Sequence, residues 1–220
     1  GVGYRETALT PDGGIDTDSA LAALDDGAVG AVFLQRSRGY GARRALSVDE
    51  IGAFCRAVKE KRPDVPVIVD NCYGEFAEDA EPCAAGADLA VGSLIKNPGG
   101  GLADTGGYIA GRAKWVERCA FRLTSPGIGR EVGATLNQSR NMFRGLFFAP
   151  TVTVSALKTA LFASALFSAL GYEVSPNPYE PRYDIIQTVE LKSREALLAF
   201  CKGIQAGAPV DAFVTPEPWA

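Results

Sequence analysis

Asp70 closes a compact β-branched run, Pro66-Val67-Ile68-Val69-Asp70, and Lys96 follows the next strand-like run in Ser93-Leu94-Ile95-Lys96-Asn97, just ahead of Pro98-Gly99-Gly100-Gly101. Open α/β sheets bind ligands outside the carboxyl ends of their strands, so an acid and a lysine on neighbouring strand ends stand where chemistry is done. The pair meets the demands of pyridoxal phosphate. A lysine forms the Schiff base with the cofactor aldehyde, and a carboxylate keeps the pyridine nitrogen protonated so that the ring acts as an electron sink. Tyr73, three residues beyond the acid, is spaced to offer its hydroxyl to the phenolic oxygen of the cofactor. Ser93, three residues before the lysine, is spaced to bond the phosphate, with backbone N–H groups of the glycine run beside it. Singly, each residue has a plainer reading: an Asp that caps a turn, a solvated Lys, a flexible glycine turn. Their joint spacing favours the chemical one.

Other residues are weighed beside these. Arg36 and Arg38 follow a predicted strand and either meet a phosphate or carboxylate or sit in a solvated loop. Cys72, next to the acid, reads as a small buried thiol. Arg122 and Arg130 flank Thr124-Ser125-Pro126-Gly127, a segment that could reach a neighbouring subunit's site. The sequence has no histidine, which removes Ser-His-Asp and Cys-His mechanisms and His-ligated zinc from the reactions this chain can run. Its 22 basic and 26 acidic side chains give a net charge of −4, which argues against a nucleic-acid or anionic-membrane surface. The five cysteines are scattered without a C-x-x-C pair, and no signal segment opens the chain, so free thiols in a reducing cytoplasm are expected.

At 47% hydrophobic and 22% charged over 220 residues, the chain can bury a sizeable core. The elements that must position the site alternate as strand, helix, strand, which predicts an α/β fold with a mostly parallel sheet. Strands are predicted at 28–34, 66–70, 89–91 and 108–110. Between the first two, Ser47 with Glu50 forms a capping box, and Ile51, Phe54, Cys55 and Val58 fall on one helical face until Pro63. Helices are predicted at 113–122 and at 131–148, with Pro150 as a break. The run 152–170 is apolar enough to raise the question of a membrane span; Lys158 and the interrupting Ser155, Thr159, Ser164 and Ser168 favour a buried helix instead. Residues 171–182, with Pro176, Pro178 and Pro181, read as a linker. A strand at 185–191 and a helix at 195–204 open a smaller α+β domain. The resulting division is 1–150 for a partial cofactor-binding large domain and 151–220 for a connecting helix and the start of a small C-terminal domain.

Asp-x-x-Tyr followed by Ser-x-x-Lys-Asn resembles the cofactor-binding strands of fold-type-I pyridoxal-phosphate enzymes. The longer strings VIVDNCYGEF, GSLIKNPGGGLADTGGYIAGR, TSPGIG, QRSRGY and FVTPEPW resemble the methionine gamma-lyase family, whose members are often labelled aluminium resistance proteins. The resemblance covers essentially the whole chain. It implies a cytoplasmic homo-oligomer, dimer or tetramer, with a large cofactor domain and a small C-terminal domain, acting on a sulfur-containing amino acid. It also implies that Lys96 is the Schiff-base lysine, Asp70 the pyridinium partner, Tyr73 the phenolic-oxygen partner and Ser93 a phosphate ligand. Two positions depart from related enzymes: Ile95 precedes the lysine where cystathionine lyases usually carry a hydroxyl residue, and Asp104 stands where aminotransferases have a phosphate-binding Arg.

The chain opens Gly1-Val2-Gly3-Tyr4 without Met and ends Glu217-Pro218-Trp219-Ala220, so a fragment of a longer enzyme is expected, with further phosphate contacts, a ring stacker and a substrate-carboxylate site outside it. The expected activity is carbon–sulfur elimination from a cystathionine-, methionine- or cysteine-like substrate. An aminotransferase on the same fold and a catalytically incomplete fragment with a structural or oligomer role remain the alternatives.

Overall fold

The computed structural model describes residues 2–123, 126–131 and 136–217. Thr124, Ser125, Pro218 and Trp219 of the strings above, and residues 132–135 of the helix expected from Glu131, lie outside them. The described residues form two compact units, one up to Ala160 together with Pro181–Ile186, the other Leu161–Glu180 with the residues from Gln187 onward.

The first unit is built on a sheet in the order β1 (Val32–Gln35), β2 (Val67–Asp70), β3 (Leu89–Ser93), β4 (Gly107–Gly111). β1, β2 and β3 run parallel and β4 pairs antiparallel with β3. Val67 and Val69 are wholly buried while the alternate β2 residues are half-buried, as the two-residue period of a strand requires. The face carrying these valines is covered by α1 (Thr17–Ala23) and α2 (Val48–Lys61). The capping box predicted for α2 is present: Ser47 Oγ accepts from the Glu50 N–H at 3.1 Å and Glu50 Oε2 accepts from the Ser47 N–H at 2.9 Å. Ile51, Phe54, Cys55 and Val58 are between 0% and 2% exposed, and each such burial stabilises by about 1.5–3 kcal/mol.

Two expectations about the C-terminal helices are corrected. α3 (Ala113–Leu123) ends as expected, but no break occurs at Pro150; α4 runs unbroken over Ser139–Ala169. Proline in a helix interior forfeits one backbone bond at about 3 kcal/mol. Pro150 is on the exposed side, and its neighbours Gly145 and Ala149 are buried, so tertiary packing outweighs that loss. Nor is α4 a buried helix within this chain. Only 17% of its most apolar window is buried, and by length and composition alone it could cross a membrane. Ala149, Thr153, Ala160 and Ser164 mark one narrow buried stripe, whereas Phe143, Phe147 and Phe162 stand 67–78% exposed.

In the second unit the expected linker contains β5 (Glu173–Ser175), which pairs antiparallel with β6 (Thr188–Glu190). α5 (Arg194–Gly207) follows, capped by Ser193, and Phe167 lies edge-on to Tyr172 and Phe200 at 5.8 and 5.5 Å.

Candidate active site

The carboxyl ends of β1, β2 and β3 lie side by side, so Gln35, Asp70 and Ser93 end neighbouring strands and the loops that follow carry Arg36, Tyr73 and Lys96. The loop after β2 turns at once. The Cys72 N–H donates to Asp70 Oδ1 at 3.0 Å, the Gly74 N–H to the Asn71 carbonyl at 2.9 Å, and Tyr73 takes a left-handed φ of +69°. That turn brings the tyrosine ring under the lysine, whose Nζ lies 4.3 Å from the ring centroid.

Cys72 sits between the predicted residues. Its thiol feels the Asp70 carboxylate, the Lys96 ammonium and the Ser93 backbone N–H. Burial, then Asp70, pushes the thiol above its ordinary value. Burial alone would lower Lys96; the Cys72 thiol, Tyr73 and Asp70 outweigh it and hold the amine above the ordinary lysine value. Ser93 Oγ accepts from the Ile95 N–H at 3.2 Å. The structure thus brings Asp70, Ser93 and Lys96 near one half-buried thiol, with Tyr73 against the lysine. The lysine opens into a cleft of about 350 Å³ whose walls are Ile95, Val152, Ala156 and Ile185, with Tyr73, Asn97 and Thr153.

Behind this front lies a buried polar layer that the sequence did not announce. Arg36 is neither a phosphate ligand nor a solvated residue. It is fully buried, donating to Asn71 at 2.7 Å and Glu78 at 2.6 Å and reaching Glu81 at 3.3 Å. Asn71 donates to Glu81 at 2.8 Å and to the Tyr108 hydroxyl at 3.2 Å, and that hydroxyl donates to Glu75 Oε1 at 2.8 Å. Burial pushes Glu75 up to about 7, and its second oxygen has no protein partner. Arg38 is also buried, and its backbone N–H donates to Asp184 at 3.1 Å.

The glycine run is likewise put to another use. The N–H groups of Gly99 and Gly100 donate to the carbonyls of Lys96 and Asn97 at 3.0 and 3.1 Å, closing a 3₁₀ turn over Asn97–Gly99. A Cβ on Gly100, at φ +54°, would collide with the Gly145 carbonyl, and one on Gly145 with the Gly99 carbonyl. These glycines let α4 dock against the lysine loop, and two of the N–H groups expected to face a phosphate are consumed. The residues present therefore fit pyridoxal phosphate at its ring end, through a carboxylate, a phenol and an amine; Ser93 is left as the expected phosphate ligand.

Three parallel strands with an antiparallel fourth and helices on the sheet make this an α/β fold of the kind found in the large domain of fold-type-I pyridoxal-phosphate enzymes. The pyridoxal-5'-phosphate dependent protein YhfS of Escherichia coli shares the fold at a TM-score of 0.61 and 19% identity over 90% of this chain and 52% of its own. The chain belongs to the methionine gamma-lyase family, whose model matches residues 1–220. It is 49% identical to the uncharacterized protein YnbB of Bacillus subtilis strain 168 over 99% of this chain and 51% of that protein. It is 44% identical to a carbon-sulfur lyase involved in aluminum resistance from Clostridium novyi NT, with a TM-score of 0.94, covering 99% of this chain and 51% of the other. The chain thus spans about half the length of these relatives.

Proposed function

We propose that the protein is a pyridoxal-phosphate-dependent carbon–sulfur lyase acting on a small sulfur-containing amino acid. The observation that carries this reading is the placement of Asp70 and Lys96 at the ends of adjacent parallel strands, with the Tyr73 ring 4.3 Å from the lysine Nζ. Lys96 would hold the cofactor's aldehyde carbon, Asp70 its pyridine nitrogen, Tyr73 its phenolic oxygen and Ser93 its phosphate. The cofactor, when bound, supplies an electron sink for the charge left at the substrate α-carbon. The Lys96 amine, when free, would be a base placed to take the substrate α-proton. Asp70 would face the pyridine nitrogen, and Val152, Ala156 and Ile185 line the cleft beside the amine. The carbon-sulfur lyase name of the Clostridium novyi relative supports elimination over transamination.

All five cysteines are free, which supports a cytoplasmic protein. The exposed phenylalanines of α4, interrupted by Lys158, support a protein cover, either further chain or a second copy in a dimer or tetramer, over a bilayer. The glycine run's commitment to packing favours one second reading: residues 1–220 taken alone are a scaffold that holds the cofactor weakly.

The test is to incubate the protein with cystathionine, methionine and cysteine and assay 2-oxo acid, ammonia and free thiol. All three products together support the lyase. Oxo acid formed without ammonia or thiol, and only with an amino acceptor, would make it an aminotransferase.

A further inference from the structure

Lys96 and Tyr73 come from different loops, and something must fix one against the other. Asn97 is placed to do so. Its side chain is buried at 6% exposure, and Nδ2 donates to the carbonyls of Tyr73 at 3.1 Å and Glu75 at 3.0 Å. Both amide hydrogens are thereby committed to the backbone of the facing loop, and none is left for a ligand. That loop needs holding, because Tyr73 and Phe76 are left-handed at φ +69° and +60°, a conformation L-residues keep only when their surroundings enforce it. The Tyr73 carbonyl takes one more donor, the Ile185 N–H at 3.2 Å.

The groups that face the lysine amine are few. Asp70 ends β2, and Cys72 and Tyr73 come from the loop after it. α4 contributes Val152, Thr153 and Ala156 to the cleft and the segment after it Ile185, none of them charged. Of these groups, Tyr73 is the one that both lines the cleft and belongs to the loop that Asn97 ties down.

We infer that Asn97 is a positioning residue: it holds the Tyr73 ring against the Lys96 amine, and through that ring it sets the pH at which the amine gives up its proton. The inference rests on Lys96 being the reactive lysine of the proposed function, and it concerns the cofactor-free protein, so the two can fail separately.

The experiment is to acetylate the cofactor-free protein with trace acetic anhydride across pH and follow the Lys96 peptide by mass spectrometry. A cation over an aromatic face at a largely exposed site is stabilised enough that losing the ring should move the midpoint down by about half a pH unit, a roughly threefold gain in free amine at a fixed pH below it. Asn97→Ala should show this shift, Tyr73→Leu should show it too, and the double variant should shift no further. Asn97→Leu, which has no donor, adds no charge and keeps a branched side chain, gives the same expectation. A purely structural Asn97 would lower the melting temperature and leave the Lys96 midpoint in place, and that result overturns the inference. So does full additivity in the double variant. If neither Asn97 variant folds, an unshifted midpoint in Tyr73→Leu overturns it alone. Loss of cofactor binding at Lys96 in the unmodified protein would instead strike the proposed function and leave this titration unaffected.

Discussion

α2 and α4 as far as Ala160 belong to the first unit, yet one helix is finished within these residues and the other is not. α2 has a capped start, acidic residues in its first turn, basic residues in its last, and one buried apolar face. α4 is apolar nearly all round, and among its described residues only small side chains along one stripe are buried. An amphipathic helix states where its partner lies; an all-round apolar helix is completed from more than one side. The contrast teaches that the sheet, α2 and the β2 loop carry the support for the site, while α4 brings a wall to the cleft and leaves its other faces exposed.

Substitutions can break or sharpen this contrast. Phe54→Ala, in the α2 face, should cost about 3–5 kcal/mol by chemical denaturation; a loss below about 1 kcal/mol would mean that the α2 face is not the core. The polar layer behind the site should make itself felt through pH. Glu75 keeps its proton to about 7 in the folded chain against an ordinary 4.5, so the folded state binds the proton more tightly. Stability is therefore full below about pH 4.5 and falls as pH rises toward 7, by roughly 1.4 kcal/mol for each pH unit crossed. Glu75→Gln should flatten that fall, as measured by denaturation at pH 5 and pH 8. Gly100→Ala should cost more than about 2 kcal/mol, since it combines a left-handed φ with a collision against the Gly145 carbonyl. It should also loosen α4 more than α2 in hydrogen exchange. Phe147→Ala, at 78% exposure, should cost no more than about 0.5 kcal/mol in residues 1–220. A loss as large as that of Phe54→Ala would show that α4 is already covered.

What was legible in the sequence follows the same division. The capping box, the valine run of β2 and the Asp70, Tyr73, Ser93 and Lys96 spacing are local signals, written within a few residues or one strand–loop unit. The unbroken course of α4 through Pro150 was not legible, because Gly145 and the glycine run that dock it lie far apart in sequence. Arg36 illustrates the same limit. Its partners Glu78 and Glu81 belong to a segment after the next strand, and nothing next to Arg36 distinguishes a buried ion pair from an anion site. Asn97 had a signal, its place beside the lysine, but its task depends on two carbonyls of another loop. Cys72 was read as packing alone; its contacts with Asp70, Ser93 and Lys96 exist only once β2 and β3 pair.

The central claim is that Lys96 is the lysine that carries the cofactor. The direct measurement is to add pyridoxal phosphate to the protein, record the visible absorbance, reduce with borohydride and map the labelled peptide. The account predicts a visible band that disappears on reduction, with the label on the peptide containing Lys96. A label on Lys114 or Lys158, with Lys96 unmodified, would contradict it.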